Sequence, residues 1–304
     1  MILPYSAELR YNAPLNLEAT LFCGQAFRWQ KLSEQTFQGV VYGEILRLTL
    51  QHGQILIEST APNINHKNLS DFTRNYLGLD DSLDDLFPPS FIKKYPHLYR
   101  GALTYFGLRL LRQEPFETLI SFMCAQGLGV MLVRRQVYSL SRNFGNFITI
   151  TEYNFPTPNA LANANLSRLA KCTNNNLIRA RNIQRVAHAV ASGNLDLASL
   201  SAPHCDFETA RATLLRYSGI GDKIADCVCL FGLGHHSAFP IDTHVRQYLS
   251  AWFGISTKTS SLNSHEYQRL CNEARSILGE KHAGLVGQLL FHYWRKEIKK
   301  MKAF

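Results

Sequence analysis

At 304 residues, with 46% apolar and 18% charged side chains, the chain can bury one large core or two modest ones without disulfides or metal, which excludes a disordered protein. No run approaches the ~18 apolar residues of a membrane span, and Met1 to Ser6 lack the charged-then-apolar layout of a secretory signal, so an intracellular protein is expected. The net charge of +9 is uneven: residues 1–100 hold 9 Lys/Arg against 10 Asp/Glu, leaving 23 against 13 for the rest. A neutral scaffold joined to a basic part suits nucleic-acid binding, because phosphate neutralisation supplies most non-specific DNA affinity; a solvated basic surface is the plainer alternative. The seven cysteines have one close pair, Cys227 and Cys229, without the CxxC partners of a zinc or iron–sulfur site. Free thiols are expected, with no metal and no cofactor.

In chain order, Phe37 to Ser59 alternates apolar and polar residues, with a break at His52-Gly53, which predicts antiparallel strands. Asp80 to Asp85 and Pro88-Pro89 mark a connection, after which strand signals nearly vanish and a helical period takes over. Helices are predicted over 102–112, 115–125, 130–143, 165–173, 179–192, 207–216, 223–233, 243–253, 264–278 and 283–299. The expected fold class is α+β: a small antiparallel β domain over residues 1–100, then an all-helical domain over 101–304. Trp29 and Trp294 read as core. His235-His236, with no carboxylate or cysteine at ligand spacing, reads as a loop tip.

Leu214 to Cys227 ends one helix, turns through Gly219-Ile220-Gly221 and starts another at about Asp222. This is a helix–hairpin–helix. Its glycines permit positive φ and close approach to a phosphate, and the N–H groups opening the second helix favour an anion. Lys223, in that helix's first turn, feels a field that disfavours an ammonium ion, which suits a Schiff-base nucleophile; a simple phosphate contact is equally compatible with this segment alone. Asp242 precedes a helical run containing Tyr248, Leu249, Trp252 and Phe253. It is the natural N-cap, and a capped carboxylate is rigid enough to stabilise a developing sugar cation.

These parts resemble the helix–hairpin–helix glycosylase superfamily, with its catalytic lysine, Gly/Pro-rich loop and aspartate. The similarity is greatest to the 8-oxoguanine DNA glycosylases and extends over roughly residues 15–300, through Gly24 to Trp29, Arg112 to Phe122, Arg179 to Arg181, Lys223 to Cys227, Pro240 to His244, and Ala283 to Phe291. The resemblance implies a bifunctional glycosylase and lyase acting on damaged double-stranded DNA. Lys223 would displace the base and form a Schiff base at C1′, Asp242 would assist base loss, and β-elimination would nick the strand. The Gly24 carbonyl would accept from the N7–H that distinguishes 8-oxoguanine from guanine. Cys227 and Phe291 would sandwich the flipped base, and His244 would bind a phosphate. Without the resemblance, Gly24-Gln25 is a turn, Cys227 a buried small hydrophobe and Phe291 core packing.

Helical spacing agrees in two places: Lys223 and Cys227 share a face, as do Gly287 and Phe291, which is expected to leave the ring uncovered for a base. The chain also departs from the family pattern. Gly127 stands where an asparagine fills the gap left by the flipped base. Leu132 replaces a cytosine-reading arginine, and Ile178 replaces a tyrosine wedge, leaving Arg179 of that set. Aliphatic side chains cannot read a base edge, so weak opposite-base discrimination is expected. Gly287 replaces the glutamine that contacts the flipped guanine, so a roomier pocket is expected, and Gln288, one position on, is the candidate left to bind the lesion. The alternatives are a glycosylase for another lesion, such as an alkylated base, and a non-catalytic DNA-binding module. A monomer at the genome is expected, in a bacterial cytoplasm or, for a eukaryotic chain, the nucleus.

Overall fold

Two tight turns organise the sheet. Tyr42-Gly43 and His52-Gly53 both hold φ positive at successive residues, the backbone of the two-residue hairpin turn that matches strand twist. They join β3 (Thr36–Val41), β4 (Glu44–Gln51) and β5 (Gln54–Ser59) in a register that pairs Phe37 with Leu48 and Leu48 with Ile57. In this computed structural model, which describes residues 2–257 and 262–301, two strands extend the sheet. β1 (Tyr5–Arg10) adds beside β5 and β2 (Trp29–Lys31) beside β3, giving an antiparallel order β1-β5-β4-β3-β2.

The inner face buries Phe37, Leu46, Leu48, Ile55 and Ile57 against α1 (Leu17–Phe22) and α2 (Leu69–Tyr76), and Trp29 donates from Nε1 to the Tyr76 hydroxyl at 3.0 Å. A two-stranded ribbon, β6 (Asn63–Ile64) with β7 (Lys67–Asn68), leads into α2. Gly39 is needed here, since a Cβ on it would lie 2.8 Å from the Trp29 ring.

Helices then follow: α3 (Pro89–Lys94), α4 (Pro96–Leu103), α5 (Pro115–Cys124), α6 (Val130–Phe144), α7 (Pro158–Ala162), α8 (Leu166–Cys172), α9 (Leu177–Ala191), α10 (Leu197–Leu200), α11 (Phe207–Leu215), α12 (Asp222–Phe231), α13 (Thr243–Phe253), α14 (Ser264–Leu278) and α15 (Ala283–Tyr293). A π-helical turn, Trp294–Ile298, continues α15. Trp29 and Trp294 are buried, as expected for core.

The helix predicted over 102–112 does not form. α4 ends at Leu103, Gly107 takes φ +91°, and residues 108–112 run extended across the seam between sheet and helices. The reason is a set of side-chain hydrogen bonds that replace helical ones. Buried Gln25 donates to the Arg109 carbonyl at 2.8 Å and accepts from the Leu111 N–H at 2.9 Å, as a neighbouring strand would. Buried Arg109 donates to the Pro14, Gly78 and Asp81 carbonyls. Leu108 and Leu110 enter the helical core while Leu111 enters the sheet core. This seam fixes Cys23 and Gly24 beside the helices. No described helix is long and apolar enough to cross a membrane.

Candidate active site

The hairpin joins α11 to α12 through residues 216–221. Gly219 takes φ +92°, and a Cβ there would lie 2.7 Å from Asn182 on α9. Gly221 differs from expectation: it is extended at φ −95°, as the residue that caps α12, and open space lies where its Cβ would be. Its lack of a side chain leaves the first N–H groups of α12 accessible to an anion.

Lys223 follows two residues later, half-buried, and makes no hydrogen bond or ion pair with another described residue. Its flanking acids are already committed. Buried Arg211 on α11 holds Asp222 at 2.6 Å and Asp226 at 2.7 Å, clamping the two hairpin helices together. Tyr267 on α14 then donates to Asp226 at 2.9 Å and accepts from the Ile241 N–H at 3.0 Å. The lysine-bearing helix is thus tied to the backbone immediately before Asp242. Asp242 caps α13, accepting from the Val245 N–H at 2.8 Å through one oxygen.

Both residues line one cavity of about 100 Å³, together with Gly24, Cys227, Phe239, Gly287, Gln288, Phe291 and Arg295. Six of the expected site residues therefore converge: Lys223, Asp242, Gly24, Cys227, Gln288 and Phe291. Burial pushes the Cys227 thiol up to about 12, against the lowering effect of Lys223, so this wall is an uncharged, polarisable sulfur. Gly24 sits at φ +93°, facing the Phe291 ring and the Arg295 guanidinium, each about 3.9 Å from where its Cβ would be. Gln288 is buried and donates to the Cys23 carbonyl at 2.9 Å, which steadies the peptide leading into Gly24.

One expectation about this wall is corrected. Gly287 does not enlarge the cavity, because the Phe239 ring occupies the place of its side chain, 2.4 Å from an added Cβ. Away from this wall, His235 and His236 lie in the loop after α12, half-buried in it. His235 bonds the Leu200 carbonyl at 2.9 Å, and the His236 carbonyl accepts from Gly284.

The remaining residues lie outside the cavity. His244 packs edge-on to Phe291, with a buried Nδ1 that has no hydrogen-bond partner among the described residues. Arg179, at the start of α9, donates to the Gln126 carbonyl at 2.6 Å and so ties α9 to the loop between α5 and α6. Around that tie the surface is aliphatic: Met131 is 66% exposed, Leu132 40% and Ile178 72%, and nothing lies near Gly127. Sequence reading missed Phe239 and Arg295. Arg295 follows Phe291 by four residues on the last helix, a spacing that could have revealed it.

A hairpin that brings a lysine and an aspartate to one cavity, behind an antiparallel sheet, defines the class of base-excision DNA repair proteins. Residues 120–273 match the model of the HhH-GPD superfamily of base excision DNA repair proteins, and residues 9–119 that of the N-terminal domain of 8-oxoguanine DNA glycosylase. The chain is 30% identical over 278 residues to an N-glycosylase/DNA lyase of Saccharomyces cerevisiae (83% of this chain, 72% of the yeast protein). It is 29% identical over 292 residues to N-glycosylase/DNA lyase OGG1 of Arabidopsis thaliana (92% and 77%). A solved structure, MBOgg1 in complex with a low affinity DNA ligand, superposes with a TM-score of 0.82 at 26% identity over 96% of each chain. The chain belongs to the 8-oxoguanine DNA glycosylase family of the HhH-GPD superfamily.

Proposed function

We propose that this protein is a bifunctional DNA glycosylase and lyase that removes 8-oxoguanine from duplex DNA, with Lys223 as nucleophile. The observation that carries the reading is the shared cavity: an uncommitted lysine and a capped aspartate on the same walls as Gly24, Cys227 and Phe291. The flipped base enters between the Cys227 thiol and the Phe291 ring, and the Gly24 carbonyl accepts the N7–H of the lesion. The Lys223 amine attacks C1′ as the C1′–N9 bond breaks and its electron pair leaves with the base, while the Asp242 carboxylate stabilises positive charge developing on the sugar. Ring opening gives the Schiff base. Loss of a C2′ proton then expels the 3′-phosphate and nicks the strand.

Outside the cavity, Gly219, Gly221 and His244 are assigned to the DNA backbone, and the basic part downstream of residue 100 to the duplex, with residues 1–100 as the β scaffold. Leu132 and Ile178 give the opposite base no donor or acceptor, so discrimination at that position is weak. The protein acts as a monomer wherever the genome lies. The test is borohydride trapping on a duplex carrying 8-oxoguanine: a covalent protein–DNA species is expected, and Lys223→Gln is expected to abolish it. DNA binding without any trapped species in the unaltered protein would contradict the proposal and favour a non-catalytic module.

A further inference from the structure

Three tyrosines are buried among the described residues, and two of them spend their hydroxyls on the fold. Tyr76 accepts from Trp29 Nε1, while Tyr267 donates to Asp226 and accepts from the Ile241 N–H. Tyr248 differs. It is wholly buried, yet its hydroxyl has no hydrogen-bond partner among the described residues. A buried phenol usually finds one, so an orphan in a native fold points to a task outside it. The position of Tyr248 fits such a task, because it lines the cavity that holds Lys223 and Asp242. On α13 it follows Val245 by three residues, and both side chains reach the same cavity. A helical side chain leans toward its helix's N-terminus, which carries the hydroxyl toward the end that Asp242 caps. The ring is held there by stacking on Trp252, with centroids 5.3 Å apart, and by Phe253 edge-on. Burial first, and then the Asp242 carboxylate and Cys271, push the phenol well above its ordinary pKa, so it remains an O–H.

We infer that Tyr248 is a further lesion-binding residue, whose hydroxyl makes a hydrogen bond to an edge of the flipped base inside the cavity. This rests on the glycosylase reading given above and deepens it. An oxidised purine sets carbonyl oxygens beside ring and exocyclic N–H groups, and a phenol O–H, both donor and acceptor, meets either kind. Other polar groups of the wall have part of their capacity committed: the Gln288 amide nitrogen to the Cys23 carbonyl, and one Asp242 oxygen to the Val245 N–H. Tyr248 brings its whole hydroxyl. Its contribution is confined to the steps in which a base occupies the cavity, because at an abasic site the hydroxyl again has nothing to bond.

The experiment compares the unaltered protein with Tyr248→Phe, which removes one oxygen and keeps the ring. Both are assayed under single turnover on duplexes carrying 8-oxoguanine or a preformed abasic site, and both are melted without DNA. Tyr248→Phe is expected to melt no lower than the unaltered protein, since the hydroxyl it loses has no partner in the fold. Its release of 8-oxoguanine is expected to fall at least about tenfold further than its abasic-site nicking, the scale for one hydrogen bond lost in a protected site. A smaller difference between the two substrates would overturn the inference, including the case of undiminished release. So would a melting temperature that falls in step with the rate, which would give the hydroxyl a purely structural role. Either result, with 8-oxoguanine released by the unaltered protein, leaves the glycosylase reading standing. Failure of the unaltered protein to release 8-oxoguanine would overturn that reading and this inference together.

Discussion

The cavity and the aliphatic surface beside it are built on opposite principles. In the cavity, polar groups are few and held: Asp242 by its own helix cap, Gln288 by the Cys23 carbonyl, and the helix of Lys223 by the Arg211–Asp226–Tyr267 chain. On the surface formed by Gly127, Met131, Leu132 and Ile178, side chains are exposed and offer no hydrogen bond. A held donor or acceptor discriminates between bases, because a mismatched base leaves it without the partner it is aimed at. An exposed aliphatic side chain can separate bases but cannot tell them apart. Under the proposed function, that contrast predicts an enzyme selective for the base it cuts and indifferent to the base opposite.

The largest effect is expected at Asp242. Asn caps a helix as well as Asp does, so Asp242→Asn should melt near the unaltered protein while base excision falls about 100-fold, the scale for losing an aimed charge in a protected site. A parallel loss of melting temperature and rate would reduce Asp242 to its capping role. Next comes Gly287→Ala, whose new methyl meets Phe239. A loss of about 1–3 kcal/mol in denaturant unfolding is expected from overpacking, relieved when Phe239→Ala is added. Undiminished stability would mean that the cavity wall is not closed there.

On the other surface, 8-oxoguanine excision opposite each of the four bases should differ by less than tenfold, about 1.4 kcal/mol. Leu132→Arg should widen that range in favour of cytosine. A strong cytosine preference in the unaltered protein would break the contrast between the two regions.

The smallest effect concerns Glu114, which caps α5 at the end away from that surface. Burial raises its carboxyl to about 7 from an ordinary 4.5. A carboxyl whose folded pKa lies above its unfolded one stabilises the fold below pH 4.5 and loses that contribution as pH rises through 7. Glu114→Gln should therefore flatten the fall in melting temperature between pH 5 and 8, and an unaltered slope would count against a buried, destabilised carboxylate.

How much of this was legible in the sequence follows from the range of the interactions. The β3–β5 meander and the hairpin depend on local alternation and on glycines at fixed offsets, and both could be read directly. β1 was not, because only Leu9 is buried along it, and β2 has three residues. The false helix over 102–112 arose from an apolar run whose extended path is imposed by Gln25, 84 residues away from Arg109 in the chain. In the site, Lys223 and Asp242 announce themselves through a helix start and a cap. Phe239 filling the space at Gly287 is a contact between a loop and α15, which no local pattern encodes. Arg295 lay within reach of a spacing argument from Phe291, but its approach to Gly24 is a contact between distant parts of the chain.

The most direct test of the central claim is to trap the protein on 8-oxoguanine duplex with borohydride, digest the adduct and locate the modified residue by mass spectrometry. The account predicts a reduced sugar adduct on Lys223, in the peptide that spans the start of α12. An adduct on the N-terminal amine or on another lysine, with Lys223 unmodified, would contradict it.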